Sequence, residues 1–199
     1  MNMKHCIVTI CLFLSGSLAS QAQELDNPTK GIIRSHVCEK VGQLYDYIGF
    51  LSNPQNSIEA RKRIMNKAVR MFIANCGPYE EDGIQKRGVE MEVSSIYNPK
   101  VRRRLMKDYF TGLMNMRYQK IDIESYDICN IQVSALRQID DNTFVCTAVL
   151  EQASVGHKDS RPVCTERSRK SVRFYVHREE ITDGEEYIIK IGDIKALRH

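Results

Sequence analysis

The side chains best placed to do chemistry are one carboxylate, a few phenols and an imidazole. Asp127 shares the odd-numbered parity of Ile121, Ile123, Cys129, Ile131 and Val133, so in an extended strand it falls on the apolar face. An apolar wall raises a carboxyl pKa and strengthens a hydrogen bond to a developing oxyanion, which suits a general acid or base. The competing reading is a bulge at Ser125 to Asp127 that returns the carboxylate to water. Tyr97, Tyr126 and Tyr175 are the phenols that would assist or line a binding surface, and tyrosines in strands also serve as packing. Arg173, Tyr175 and His177 alternate with Val172, Phe174 and Val176. They must therefore face away from the core, toward water or another molecule.

Other chemistries find no pattern. Beyond the leader the histidines are His36, His157, His177 and His199, with no HExxH and no Cys/His ligand cluster, so no metal site is expected. No phosphate-cradling glycine loop and no GxSxG elbow occurs, and no cofactor is expected. Lys and Arg number 29 against 25 Asp and Glu. A dedicated nucleic-acid binder needs a strongly basic face, so no nucleic-acid partner is expected. The densest basic run, Arg102-Arg103-Arg104 with Lys107, reads as a solvated helix face whose stems cover apolar surface. A sulfated or phosphorylated polymer would instead use these arginines together with Arg167 to Arg173.

The chain opens with Lys4 and His5, an apolar run from Cys6 to Leu14, and small residues through Ala19. Ser20-Gln21-Ala22 places small side chains three and one residues before a cut. This pattern predicts a signal peptide over residues 1–22 and an exported mature chain starting at Gln23, either periplasmic, on the outer surface or secreted. The run falls short of the roughly 20 residues of a membrane span, and no later stretch is more apolar. About 177 residues then remain, enough for one domain with one core. Of the seven cysteines, Cys38, Cys76, Cys129, Cys146 and Cys164 stay. Buried free thiols are one reading. The bridge the element order favours is Cys38 with Cys76.

That order runs as follows. Residues 23–30 are a flexible lead-in. A helix from Gly31 to Leu51 presents Ile33, Val37, Val41, Leu44, Ile48 and Leu51 on one face. Ser57 caps a second helix reaching Asn75, antiparallel to the first, which brings Cys38 and Cys76 to one end. Tyr79 to Gly88 is a charged exposed loop, Val89 to Val93 a short strand, and Lys100 to Tyr118 a third helix. Strands follow over residues 119–135, 143–153 and 162–180, and a last one after a tight turn at Asp183-Gly184. In these registers Cys146 lies six residues from any partnership with Cys164, roughly 20 Å away and beyond disulfide reach.

The order of elements resembles the NTF2-like superfamily over Ile32 to Leu197. Val89-Glu90-Met91-Glu92-Val93-Ser94-Ser95 and Ile189-Lys190-Ile191-Gly192-Asp193-Ile194 look like exported members of uncharacterised role. The resemblance implies an α+β cone over residues 31–199: three helices on a strongly curved antiparallel sheet of four long strands plus one short strand. It also implies either a noncatalytic module that binds a partner protein, an envelope component or a small apolar ligand, or a cofactor-independent isomerase or dehydratase. The second would use a carboxylate inside the cone, with Asp127 the candidate. Relatives often dimerise through the sheet face, which implies a possible homodimer through Arg173, Tyr175, His177 and Lys190.

Overall fold

The structure is a computed structural model that describes residues 25–95, 98–115, 120–125, 130–158, 161–182 and 184–197. It is α+β, with three helices and a mixed sheet. Helix α1 (Asn27–Ser52) buries every member of its expected apolar face, with Ile33, Val37, Val41, Leu44, Ile48 and Leu51 all within 1% of full burial. It starts four residues earlier than expected, so residues 27–30 are helical. Asp26 accepts the Thr29 N–H at 2.8 Å, and Pro28 sits in the first turn, where its missing donor costs nothing. Helix α2 (Ile58–Arg70) is capped by Ser57, as expected, but stops five residues short. The chain then reverses through Ala74, Asn75 and Cys76, all in the left-handed region at φ 47°, 50° and 57°.

That reversal decides the cysteines. Cys76 turns its thiol back toward the Val69 carbonyl, 4.0 Å away. Cys38 faces the sheet instead, where, after burial, it helps push the Cys146 thiol up. Cys38, Cys76 and Cys146 are all free, so the expected Cys38–Cys76 bridge is not formed. Its premise, a second helix running on to Asn75, fails at Arg70. Cys129 lies outside the described residues.

The expected third helix begins as strand. Residues Asn98–Leu105 form β4, and among the described residues of that stretch Met106–Met114 are helical, as α3. Arginine favours helix in isolation, yet pairing with β3 (Glu90–Ser95) overrides propensity here. Glu92 stands opposite Arg103, 3.1 Å between charged groups. Strand alternation also splits the arginine run, putting Arg103 on one face and Arg102 and Arg104 on the other.

The Tyr79 to Gly88 stretch is likewise not an open loop. It forms a two-stranded hairpin, β1 (Tyr79–Glu81) and β2 (Ile84–Lys86). The stretch expected as one long strand over 119–135 holds β5 (Lys120–Ser125) and β6 (Gln132–Val133), and β7 (Arg137–Gln138) follows it, each paired with β8 (Thr143–Lys158). Strand β9 (Arg161–Ile181) and β10 (Gly184–Leu197) close the chain.

The main sheet runs β4-β3-β10-β9-β8-β5. It is mixed rather than antiparallel, because β10 runs parallel to β3 through Ile194 and Met91. The final hairpin thus sits inside the sheet rather than finishing it. Cys146 pairs with Phe174, ten residues from Cys164, which keeps the two apart as expected. One row of the hairpin, Val172, Phe174, Val176, Ile189 and Ile191, joins the helices in a single core. Phe72, Phe110, Phe174 and Met106 fill its centre, each below 2% exposure. The Phe72 and Phe110 rings meet edge to face with centroids 6.0 Å apart.

Candidate functional site

Among the described residues a dense group of ionisable side chains lies on the sheet face turned away from the helices, and a bulge creates it. Strand β10 pairs Ile191 with Phe174 and Ile194 with Val172, so Gly192 and Asp193 together oppose Arg173. Without the extra residue Asp193 would continue the core row of Ile189 and Ile191. The bulge re-aims it to the outer face. Gly192 serves close approach rather than backbone freedom: a Cβ there would come within 2.7 Å of the Tyr175 ring.

The β1–β2 hairpin covers this spot. Asp193 accepts three hydrogen bonds: from the Lys86 ammonium at 2.8 Å, the Glu90 N–H at 2.9 Å and the Tyr79 hydroxyl at 3.2 Å. Glu81 pairs with Lys86 at 2.6 Å and Arg173 at 3.1 Å, and accepts a short hydrogen bond from the Tyr175 hydroxyl. Lys86 also stands over the Tyr79 ring and Arg173 over the Tyr175 ring, at 5.9 and 5.6 Å. All four carboxylate oxygens are engaged, and two acids meet two cations.

The electrostatics describe a tie rather than a reacting set. Burial pushes the Glu81 carboxyl up, but the bonds from Lys86 and Tyr175 and the nearby cations outweigh it and hold the group below its ordinary range. Burial lowers Lys86, while its bonds to Asp193 and Glu81 raise it further, so it stays charged. Both phenols are driven upward, Tyr79 by burial and then by Asp193 and Glu81, Tyr175 by burial and its bond to Glu81. They remain protonated donors. A network in which each acceptor already has its donor holds the hairpin against the sheet.

Of the residues singled out from sequence, Arg173 and Tyr175 are brought together here. His177 is not: it is exposed and shares a 3.2 Å contact with the Thr143 hydroxyl. Tyr97, Tyr126 and Asp127 lie outside the described residues. Sequence reasoning misses Glu81, Lys86, Tyr79 and Asp193. Asp193 carries one signal, an acid inside the apolar run Ile188 to Ile194. Glu81 and Lys86 carry none, because a charged stretch with two glycines reads as loop.

Clefts also open elsewhere among the described residues. One of about 610 Å³ is bordered by Asn130, Gln132, Glu151, Gln152, Arg167 and Arg169. Another, about 480 Å³, runs between α1 and the β10 edge at Glu186 to Lys190. Among the described residues no group of three or more His, Cys, Asp or Glu side chains could hold a metal ion, and no helix is long and apolar enough to cross a membrane. No family model matches the chain, and neither a curated protein nor a solved structure matches it significantly.

Proposed function

We propose that the chain is an exported, noncatalytic module of the NTF2-like kind that recognises a partner protein on its surface. One observation carries the reading. The space between helices and sheet, where an enzyme of this architecture would receive an apolar substrate, is occupied by Phe72, Phe110, Phe174 and Met106. Ligand sites are cavities of several hundred cubic ångströms lined by apolar groups. The clefts beside Asn130 and Glu186 lie at the margin of that core, which reaches them at Leu150 and Ile189, and are bordered largely by polar side chains. The outer-face cluster supports the same reading, since its charges satisfy one another.

Native mass spectrometry of the protein recovered from its own cell envelope tests this. The expected result is a complex with another protein, on a chain beginning at Gln23. A small apolar molecule bound at one per chain would overturn it.

A further inference from the structure

Strand β10 has neighbours on both sides over only part of its length. At Ile194 it pairs with Met91 of β3, and at Ile191 it bridges to Phe72, with the Ile191 N–H donating to the Met71 carbonyl at 2.9 Å. From Gly184 to Lys190 its ladder is with β9 alone among the described residues. Hydrogen-bonding direction alternates along an antiparallel strand with a period of two. No bulge interrupts the register between Gly184 and Ile191. The outward Ile191 N–H therefore gives the main-chain N–H and C=O of Tyr187 and Ile189 the same direction, away from β9 and into the 480 Å³ groove.

The groove has the size of a short strand. With residues rising ~3.3 Å, strands ~4.8 Å apart and a layer ~10 Å thick, a strand residue takes about 160 Å³, so about three residues fit. Its charges are ordered along the edge. Lys190 and Lys40 stand at one end, close enough that Lys190, after burial, helps lower the Lys40 pKa. Glu186 lies toward the other end, beside Tyr187, which feels the charges of Glu185 and Asp26. His36 and Glu39 are exposed on the α1 wall.

From this we infer that the Gly184–Lys190 edge of β10 is a docking site for an extended peptide segment of a partner protein, added as a strand beside Tyr187 and Ile189, with an acidic residue at its Lys190 end. The inference rests on the partner-binding reading above and names where that partner is held. Main-chain groups directed out of an edge are matched by another strand's backbone, and flanking charges set its orientation. A second copy of the chain fits less well. The α1 wall that borders the groove would be present on both copies, which leaves room for a single extended strand but not for a second such wall.

The probes are the pentapeptides Asp-Val-Thr-Val-Lys and Lys-Val-Thr-Val-Asp, which place the acid at the Lys190 end in antiparallel and parallel addition respectively. In ¹⁵N spectra one of them should shift the Tyr187 and Ile189 amides and slow their hydrogen exchange at least about tenfold. N-methylating the peptide's central amides should weaken binding about tenfold, the worth of one or two main-chain bonds. Tyr187→Pro removes one outward donor, which a strand edge tolerates, and should weaken it similarly. The N-methyl control uses the unaltered protein, so it stands even if that variant misfolds. No shift of either amide at about 1 mM of both peptides, a weak interaction by any measure, overturns the inference. So does exchange at these amides that is already as slow as at Val176, or that slows with protein concentration alone, which would mark self-association. A copurifying protein that leaves both amides unprotected would remove the edge site but keep the module, whereas a bound small molecule would remove the module without touching the amides.

Discussion

Replacing Asp193 tests whether the bulge and the β1–β2 hairpin form one unit. The Asp193 side chain is 10% exposed and accepts from Lys86, the Glu90 N–H and Tyr79 at 2.8, 2.9 and 3.2 Å. Hydrogen bonds to a charged acceptor contribute about 1.5–3 kcal/mol each, and breaking a buried ion pair by removing one partner costs about 3–5 kcal/mol. The lower end applies, because the Lys86 side chain is 28% exposed and keeps Glu81 at 2.6 Å. Asp193→Ala should therefore destabilise the protein by about 3 kcal/mol. Asp193→Asn keeps an acceptor for Tyr79 and Glu90 but turns an amide donor toward the Lys86 ammonium in place of the accepting oxygen, so it should cost less than Ala, about 1–2 kcal/mol. Urea unfolding with linear extrapolation gives both values, and amide exchange over Tyr79 to Lys86 shows whether the hairpin lifts. An Ala variant within about 0.5 kcal/mol of the parent, the range of ordinary surface changes, would refute the tie. An Asn variant as damaging as Ala would show that charge alone matters.

The pH dependence of the same network has a definite sign. Glu81 is held below its ordinary 4.5, so its contribution is present above that pH and is lost as pH falls through the depressed folded value. Lys86 is raised above 10.5, so its contribution is present below that pH and is lost as pH rises through the folded value. Urea midpoints should fall below about pH 4.5, and Glu81→Gln should flatten that acid limb; an unchanged limb would exclude Glu81 as the titrating group. The free thiols make a separate prediction. Burial pushes Cys76 and Cys146 up to about 12, so an alkylating agent at neutral pH should reach Cys38 first and these two only on unfolding. A Cys38–Cys76 bridge in non-reducing peptide maps would refute the turn geometry after α2.

The α1 face is legible because six apolar residues at three- and four-residue steps can be buried together only as a helix. The β9 and β10 alternation is legible for the equivalent reason at period two, and that alternation alone puts Arg173 and Tyr175 on the outer face. The Arg102 to Arg104 run misleads because strong helix formers carry no mark of a facing strand. Asp193 is half legible: its acid stands out in an apolar run, but the bulge that turns it outward is visible only in the pairing of β10 with β9.

Local pattern, then, determined which residues of this chain seek burial, where the second helix begins, and that the last two strands form a hairpin. Tertiary structure alone decided that the hairpin lies inside a mixed sheet, that Glu81 and Lys86 close over Asp193, and that the N-terminal part of β10 keeps an edge directed into a groove. The physical reason is range. Periodicity and capping act between residues a few positions apart, whereas the outer-face network joins positions 79–86 to 173–193. Those partners meet only after the sheet order is set.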